Sequence, residues 1–282
     1  MNFGESPATI MADQSLIQNV ALIVVTCDKY SDLWYPHCEL LSKFWPDCPF
    51  RRFIITNEKL FNHPFVETLP IGPDRSWSDS LRQAVLSVPQ KYVLLLQEDF
   101  LIEQVVNSDL LVETLQRWSQ AGGKYLRLAT SPRPKGVKKH RLGGNIVEIP
   151  PESPYRISNQ ASIWEKGLLL ELLVPGESPW QMETAGSVRS VDKGRVFFNV
   201  EKSLLCYHPH GALVKGKWRR SAARKCRQQG IWNSARQVQT IYEEAQFTLT
   251  SLAFNLLYSI WPSLLWSRTL TRYGRKQKQS VG

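Results

Sequence analysis

Lys91-Tyr-Val-Leu-Leu-Leu-Gln-Glu-Asp-Phe100 combines an unbroken apolar run with two adjacent carboxylates at its end. Side chains from Val93 to Leu96 are apolar at every position, which is typical of a strand buried on both faces of a parallel or mixed sheet. Glu98 and Asp99 follow at the carboxyl end, the edge where ligands bind in open α/β sheets. A carboxylate pair there can hold a divalent cation or orient ligand hydroxyls. The alternative is an acidic turn that caps the next helix.

The segments before this run alternate between strand-like and helical patterns. Residues 21–27 are a β-branched run, residues 32–45 have helical spacing, and residues 50–56 are a second strand-like run. Residues 76–85 place cap residues ahead of a helical pattern that leads into the Tyr92 strand. The order strand, helix, strand, helix, strand predicts a three-layer α/β/α core.

The same patterns continue beyond residue 100. We predict helices over 108–120 and 166–173 and strands over 124–129, 156–164, 196–200 and 204–207. Residues 131–154 are rich in Pro, Gly, Lys and Arg, which predicts a long basic loop with room for one hairpin. Long loops in compact domains are often functional lids.

Composition places the chain among basic globular proteins. Its 282 residues are 43% hydrophobic and carry a net charge of +10, which favours an anionic partner such as phosphate, nucleic acid or acidic lipid. Five cysteines without paired short spacings indicate neither a disulfide framework nor structural zinc, and they fit a reducing cytosol. Residues 1–19 lack the pattern of a secretory signal, so we expect a loose lead-in there and a main domain over 20–215.

Residues 216–282 differ in composition and are predicted to form a basic, amphipathic, helical extension. Residues 216–247 are dense in Arg, Lys and Gln, residues 248–266 are mostly apolar, and residues 268–278 are basic again. A transmembrane helix needs roughly 20 predominantly apolar residues, and Asn255 and Pro262 interrupt this run. The pattern favours a helix on an anionic membrane surface, with Trp261 and Trp266 at headgroup level. The alternative is a terminal helix that packs on the core or on a second copy in a homodimer.

Three motifs carry a resemblance to a known family: Thr26-Cys27-Asp28 after the first strand, Glu98-Asp99 after the buried strand, and Glu177-Ser-Pro-Trp-Gln-Met-Glu183 downstream. Over residues 20–218 the chain resembles glycosyltransferases of the GT-A fold, and more narrowly bacterial transferases of surface polysaccharide assembly. The resemblance implies a Rossmann-related mixed sheet, a nucleotide-sugar donor, and a glycan or lipid-linked acceptor. It also implies a cytoplasmic enzyme, peripheral at the inner face of the cytoplasmic membrane.

The resemblance implies a nucleotide site near the ends of the first strands. The matching residues are Thr26, Asp28 and Tyr30 for the base and ribose, and Asp74, Arg75 and Arg82 for the pyrophosphate. Arginine suits the second task because its planar fork pairs with phosphate oxygens. A helix cap at Asp28 and a solvated helix face at Arg82 are the alternatives.

The metal motif of the family is Asp-x-Asp, and this chain has Gln97-Glu98-Asp99 instead. Glu98 and Asp99 can still bind Mn²⁺ or Mg²⁺ through one carboxylate together with water and diphosphate. In a metal-independent reaction, Lys215, Lys217 and Arg219 are the candidates for neutralising the diphosphate.

The resemblance also places a late histidine near the metal or the diphosphate. His208 and His210 of Tyr207-His-Pro-His210 match, and their alternating spacing would put both rings on one face of a strand. Polar loop histidines without a ligand are the alternative.

Inverting members of the family place an acidic general base opposite the leaving group. Glu183 matches that base, with Glu177 the second candidate, because such a group must accept the proton of the attacking hydroxyl. Trp180 is predicted either to form an apolar wall that raises the carboxylate pKa or to stack on a sugar ring. Asn159 and Gln160 are predicted to bind the acceptor. The alternative is a surface glutamate beside a packed tryptophan.

Two other functions compete with this one. A nucleic-acid-binding protein would use the basic residues Arg219, Arg220, Arg224, Lys225 and Arg227, with Trp218 and Trp232 stacking on bases. That reading leaves the Glu98-Asp99 strand end unexplained, so nucleic acid is not the expected partner. A transferase-like scaffold that has lost catalysis also fits the missing Asp-x-Asp. The sequence has no Gly-x-Ser-x-Gly elbow, Walker A loop or His-Glu-x-x-His helix.

Overall fold

The carboxylate-terminated run forms a central strand of an eight-stranded mixed sheet. The structure is a computed structural model that describes residues 15–131, 145–208, 210–261 and Ser267. The strands of the sheet are β1 Val20–Val25, β2 Arg51–Thr56, β3 Glu67–Pro70, β4 Tyr92–Gln97, β5 Tyr125–Arg127, β6 Ile146–Glu148, β7 Ser162–Glu165 and β8 Phe197–Val200. A separate hairpin consists of β9 Leu213–Val214 and β10 Lys217–Trp218.

Helices connect most of these strands. The longer ones are α1 Ser31–Phe44, α2 Trp77–Ser87, α3 Ser108–Gln120, α4 Lys166–Leu172, α5 Arg220–Gln228 and α6 Ile241–Ile260. Residues 179–189 form a short helical segment whose centre, Met182–Gly186, is π-helical. Strands β3 and β6 were not predicted from the sequence. The predicted strand over 204–207 is wrong, because only an isolated bridge between Ile102 and Tyr207 forms there.

The alternation of side chains along β1 creates the layers. Every residue of β1 is buried. Leu22 and its even-numbered neighbours share an apolar cluster with residues of α1 and α3, whereas Ile23 and its odd-numbered neighbours share another with α2 and α4. Successive strand residues point to opposite faces, so the sheet has helices on both sides. The predicted three-layer α/β/α fold class is confirmed.

The strand order brings eight chain segments to one edge. The order is β3-β2-β1-β4-β7-β5-β8-β6, and β7 and β6 run antiparallel to their neighbours. The carboxyl ends of the six parallel strands and the amino ends of β7 and β6 therefore meet at the same edge, which we call the ligand edge. Glu98 and Asp99 lie there, because they directly follow β4.

Side-chain caps fix where the helical segments begin. Ser76 Oγ accepts a hydrogen bond from the Asp79 N–H at 3.1 Å, as the predicted cap ahead of α2 requires. Ser178 forms a capping box with Gln181, in which the Ser178 N–H donates to Gln181 Oε1 at 2.8 Å. The second cap positions the helical segment that carries Glu183.

Residues beyond β8 pack against the sheet domain. Leu33 and Leu40 of α1 share an apolar cluster with Trp218, Ala223 and Cys226 of the hairpin and α5. The domain boundary predicted at residue 215 falls at the tip of the β9–β10 hairpin. The start of the extension therefore shares a core cluster with α1. Residues 1–14 of the predicted lead-in, most of the predicted basic loop and the basic tail over 268–278 lie outside the described residues.

Helix α6 rests on the body through one face. Phe247 packs edge-on against the His210 ring at 5.2 Å between centroids, and Phe254 does the same with Tyr155 at 6.1 Å. Glu243 pairs with Lys217 Nζ at 2.6 Å. In the described part of the chain, helices that combine the length and apolarity needed to cross a membrane are absent.

Candidate active site

Asp28 ties the end of β1 to the end of β2. Its carboxylate accepts the backbone N–H groups of Asn57, Glu58 and Lys59, each at 2.8 Å. Burial acts to raise the Asp28 pKa, but these bonds and the Lys59 charge outweigh burial and hold the pKa below its ordinary value. Three of the roughly four acceptor positions of the carboxylate are thus used, and the one left for a ribose hydroxyl is on Oδ1.

Thr26 and Tyr30, the other two residues predicted to hold the base and ribose, differ in their exposure. Thr26 is buried, and its Oγ1 accepts a hydrogen bond from Trp34 Nε1 at 2.9 Å. Tyr30 is partly exposed, and the Arg236 guanidinium lies 5.3 Å from the centre of its ring. Of the residues predicted to hold the base, Tyr30 is the one that presents a ring to the ligand edge.

Arg236 joins the extension to the ligand edge, and sequence analysis missed it. Its Nη2 donates to Asp32 Oδ1 at 2.7 Å and to the Lys29 carbonyl at 3.0 Å, and its Nε donates to Asp32 Oδ2 at 3.1 Å. Burial acts to raise the Asp32 pKa, but the hydrogen bonds from Arg236 and Ser234 lower it on balance. A contact across 204 residues leaves no periodic or motif signal in a sequence.

Glu98 and Asp99 lie close together in partly buried surroundings. Burial, and for Glu98 also the neighbouring Asp99 charge, raise the pKa of both carboxyls well above the ordinary range. Opposing this, Arg236 lowers the pKa of Glu98, and the Leu213 N–H lowers that of Asp99. The pair therefore tends to hold a proton near neutral pH, and a nearby cation would release it.

Gly211 and its neighbour fix the position of Asp99. The Ala212 N–H donates to the Asp99 carbonyl at 2.7 Å. Gly211 has φ +67°, and a β-carbon at this position would overlap Asp99 Oδ2. Glycine meets both requirements, since it adopts positive φ without strain and has no side chain to collide with the carboxylate.

Asp74, one of the residues predicted to lie near the pyrophosphate, is close to Cys27 at the end of β1. Burial is the main cause that raises the Cys27 pKa to about 11, and the nearby Asp74 carboxylate adds to the rise. A thiol with this pKa stays protonated at neutral pH and is not a nucleophile. Arg75 follows on the same exposed loop.

Arg82 does not join the ligand edge. Its Nη1 donates to the Leu170 carbonyl of α4 at 2.9 Å. Helix α4 follows the carboxyl end of the antiparallel strand β7 and so begins at the opposite edge of the sheet. Arg82 thus lies on the α2 face that packs on α4, which disfavours the predicted contact with pyrophosphate.

Glu183 is brought together with the predicted acceptor-binding residue Asn159. Glu183 Oε1 accepts the Asn159 N–H at 2.7 Å and the Ser158 hydroxyl at 3.2 Å. Burial raises the Glu183 pKa, although these bonds and the Arg127 charge oppose the rise. Both bonds fall on Oε1, so Oε2 has no hydrogen-bond partner among the described residues. The π-helical turn that carries Glu183 belongs to a class often found at functional sites.

Gln160 is held by Tyr207. The Tyr207 hydroxyl donates to Gln160 Oε1 at 3.0 Å and accepts the Ala161 N–H at 2.8 Å. The Tyr207 ring stacks on Phe100 with centroids 4.4 Å apart. Tyr207 thus connects the start of β7 to the residue after Asp99, a positioning role that the sequence pattern does not reveal.

Two residues near Glu183 differ from their predicted roles. Trp180 is 74% exposed. It is therefore not packed beside Glu183 and does not form an apolar wall for that carboxylate. Its exposed ring is accessible for stacking on a sugar ring, the other predicted role. Glu177 makes a bidentate ion pair with Arg189, at 2.9 and 2.7 Å. Both of its carboxylate oxygens are occupied, which disfavours Glu177 as a base.

His208 and His210 are the histidines that were predicted to lie near the metal or the diphosphate. Burial, and next the charge of Arg219, lower the His208 pKa to about 4, so the ring is neutral at pH 7. His208 and Asp99 line one cavity of about 130 Å³. Within the described ranges, however, no group of three or more His, Cys, Asp or Glu residues could hold a metal ion. The four residues predicted as metal ligands, Glu98, Asp99, His208 and His210, thus do not form a ready-made group of three ligands in the described part of the chain, and a cation at Glu98 and Asp99 would take its other ligands from water and diphosphate.

The two lysines predicted to neutralise the diphosphate differ in whether they already have an acidic partner among the described residues. Lys217 is paired with Glu243. Lys215 lies at the exposed hairpin tip with φ +50°, next to Gly216, whose carbonyl accepts Arg236 Nη1 at 3.4 Å. Lys215 and Arg236 thus lie on the same side of the ligand edge.

Trp218 and Trp232, the residues that the nucleic-acid alternative needs for stacking on bases, already pack on each other. Trp218 is fully buried and donates to Ser234 Oγ at 2.9 Å. Trp232 packs on Trp218 with centroids 5.0 Å apart, and Arg227 covers its ring at 4.5 Å. The predicted stacking of these tryptophans on bases is therefore wrong, because packing already uses both rings.

Solved structures similar to this chain include sugar-nucleotide and nucleotide enzymes. A fragment of S. aureus TarS, residues 1–349, is 11% identical over 65% of this chain and 60% of its own length, with a TM-score of 0.43. Glucosyl-3-phosphoglycerate synthase from Mycobacterium tuberculosis, in complex with Mn²⁺, UDP and phosphoglyceric acid, is 8% identical over 74% of this chain and 76% of its own, with a TM-score of 0.44. A cytidylyltransferase from Leptospira borgpetersenii is 12% identical over 80% and 99%, with a TM-score of 0.40.

At these values the likeness concerns the fold alone. The match spans less than two thirds of the TarS fragment, which has also been solved in complex with UDP-GlcNAc. No protein-family model and no curated protein sequence matches the chain. The similar structures thus include one solved in complex with UDP-GlcNAc and a cytidylyltransferase.

Proposed function

We propose that this chain is a glycosyltransferase that uses a nucleotide-sugar donor and inverts the anomeric configuration. The observation that carries the proposal is Glu183, a carboxylate beside Asn159 at the ligand edge, with a raised pKa and one oxygen that has no hydrogen-bond partner in the described part of the chain. A general base works best when its pKa lies near the working pH.

In the proposed reaction the donor lies across the ligand edge. Its base stacks on Tyr30, and its diphosphate faces Arg236 and Lys215. Glu183 Oε2 accepts the proton of the acceptor hydroxyl as that oxygen attacks the anomeric carbon. The bond from this carbon to the diphosphate oxygen breaks, the electron pair leaves with the nucleoside diphosphate, and the cations stabilise its charge. Asn159 and Gln160 orient the acceptor.

Donor binding is the first test. Thermal shifts are measured with UDP, GDP, CMP and dTDP and their sugars, each with and without Mn²⁺, because a ligand that binds only the folded state raises its apparent stability. We expect one nucleotide class to give a selective shift, and its response to Mn²⁺ reports whether a cation takes part. Absence of any shift, alongside tight oligonucleotide binding, would favour the nucleic-acid alternative.

The base is tested with the donor that the screen identifies. Glu183→Gln keeps the hydrogen-bonded shape but cannot take a proton, so we expect nucleoside diphosphate release to fall by about 10²-fold or more with donor binding unchanged. Glu171→Gln, on the exposed side of α4, is the matched control. Full turnover by Glu183→Gln would remove the proposed base.

We further propose that the enzyme works at an anionic membrane surface, on the inner face of the cytoplasmic membrane, with a lipid-linked or glycan acceptor of bacterial surface polysaccharide. Tyr242, Ala245, Leu249, Leu252 and Leu256 recur at intervals of three and four, so they share one exposed face of α6. This face lies away from the Phe247 and Phe254 face that contacts the body.

Charge favours a lipid surface over a second copy of the chain. Residues 245–282 contain five basic residues and no acidic one, so a second copy would bring like charges together, whereas anionic lipid complements them. Apolar helix faces flanked by basic residues bind membrane interfaces in this way.

Point variants on α6 test the membrane proposal. Leu252→Glu places a charge on the apolar face and is expected to abolish co-sedimentation with phosphatidylglycerol vesicles, as is deletion of residues 248–282. Thr250→Glu adds the same charge at an exposed position of α6 outside that face and should leave most of the binding intact. Concentration-dependent dimerisation that Leu252→Glu disrupts, without any vesicle binding, would assign the face to a homodimer instead.

A further inference from the structure

Arg219 is a buried arginine whose side chain has no partner among the residues that the structure describes. The residue is 8% exposed, and its Nε is buried without a hydrogen-bond acceptor there. Among the described residues, its guanidinium makes no hydrogen bond or ion pair. Burial lowers its pKa, which reflects the unfavourable transfer of a charge out of water. A buried charge in proteins is normally paired, so this arrangement indicates a missing anionic ligand.

Further donors lie around Arg219. It is the N-cap residue of α5, where no side chain caps the helix and the first turn contains no acidic residue. The first N–H groups of a helix have no acceptor within it and carry partial positive charge. His208 Nδ1 accepts the His210 N–H at 3.2 Å, so the proton of the neutral ring is on Nε2, which is a further donor close to Arg219.

The nearby carboxylates do not neutralise Arg219. Glu103 pairs with Lys225 at 2.8 Å, and Glu244 lies 4.0 Å from Arg220. Each acidic group that acts on Arg219 electrostatically therefore has another cation beside it. The cluster of three cations and two carboxylates keeps an excess positive charge.

We propose that Arg219, the first turn of α5 and His208 form a binding site for a phosphate group. A planar guanidinium together with backbone N–H groups at a helix N-terminus matches the tetrahedral oxygens of phosphate. The Arg219 N–H donates to the Ala212 carbonyl at 2.8 Å, and the Ala212 N–H donates to Asp99, so the site adjoins the ligand edge. On its other side, Phe247 of α6 packs on His210.

This phosphate chemistry has two sources, the diphosphate of a nucleotide and the phosphate of a lipid-borne molecule. Binding is measured by calorimetry with UDP, with dihexanoyl phosphatidic acid, and with dihexanoyl phosphatidylcholine as the lipid without a phosphate monoester. Sugar transfer is not needed for the measurement, so failure of the proposed reaction and failure of this site are separable.

The variants are Arg219→Gln and, as matched control, Arg224→Gln, which removes the same charge from the exposed side of α5. We expect Arg219→Gln to weaken phosphate binding about tenfold or more, with Arg224→Gln near wild type. Since Arg219 has no partner to lose, its replacement should leave the melting temperature unchanged or raise it. A loss confined to UDP would identify the source as the nucleotide, and a loss confined to phosphatidic acid would identify a lipid phosphate.

Two results would overturn the proposal. One is that wild-type protein binds neither UDP nor phosphatidic acid more tightly than phosphatidylcholine. The other is that Arg219→Gln and Arg224→Gln weaken binding equally, which would describe a diffuse basic surface. A large fall in melting temperature for Arg219→Gln would show that the side chain serves the fold instead.

Discussion

Replacing Glu98 by glutamine should stabilise the protein in alkaline solution. Burial and the Asp99 charge raise the Glu98 pKa from an ordinary 4.5 to about 8. Between these two values the folded state binds more protons than the unfolded state, so the free energy of unfolding falls as the pH rises through this window. Glutamine resembles the protonated acid and avoids this loss.

The magnitude follows from the same pKa. A rise from 4.5 to about 8, at ~1.4 kcal/mol per pKa unit, sets an upper limit of ~5 kcal/mol. Glu98 is partly accessible to solvent and the surroundings of a buried charge relax, which reduces the penalty. We expect Glu98→Gln to raise the free energy of unfolding by about 2 kcal/mol at pH 9 and to have little effect at pH 4.

Urea denaturation, followed by tryptophan fluorescence and circular dichroism at pH 4, 7 and 9, measures this difference. The control is Glu113→Gln, which removes an exposed carboxylate of the Glu113–Arg117 pair on α3 and should change stability by less than about 1 kcal/mol at every pH. If Glu98→Gln is no more stable than wild type at pH 9, the carboxylate is ionised at little penalty and the account of the ligand edge is wrong.

Three further substitutions test single contacts. Gly211→Ala combines a strained φ with an overlap on Asp99 and should lower the free energy of unfolding by about 2 kcal/mol or more. The control Gly216→Ala, with φ +77° and open space around it, should lower it by only about 1 kcal/mol. Equal losses would argue against the Asp99 contact. Glu177→Gln leaves a largely buried Arg189 without its partner, so chemical denaturation should register a loss of about 3 kcal/mol while the donor is still turned over, and unchanged stability would mean that the ion pair is dispensable. Arg236→Gln should weaken binding of the nucleoside diphosphate about tenfold in calorimetry, a change that would be absent if the diphosphate lies elsewhere.

The sheet could be predicted from sequence because its signals are local. The apolar runs of β1 and β4 and the cap at Ser76 each lie within a few residues, and strand direction then brings their ends to one edge. Short strands were missed, since β3 and β6 have four and three residues and too little pattern to distinguish them from loop.

The candidate site was harder to predict, because its chemistry depends on contacts between distant segments. Glu183 and Asn159 were predicted as site residues separately, yet the hydrogen bond between them is visible only in the fold. The sequence spacing also does not reveal three hydrogen-bond partners: the loop after β2 for Asp28, α4 for Arg82 and Asp32 for Arg236. Burial likewise separated Trp218 from a nucleic-acid role, although its basic neighbours favour one.

The contact between Arg236 and Asp32 has a consequence for the order in which the protein matures during synthesis. A ribosome delivers β1, β2 and β4 early, and domains form progressively as the chain emerges. Arg236, which lies at the ligand edge, is synthesised only after more than 200 further residues have followed Asp32. A growing chain with a formed sheet thus still lacks one side of the ligand edge, so a ligand that needs Arg236 could bind only after nearly the whole chain has been synthesised.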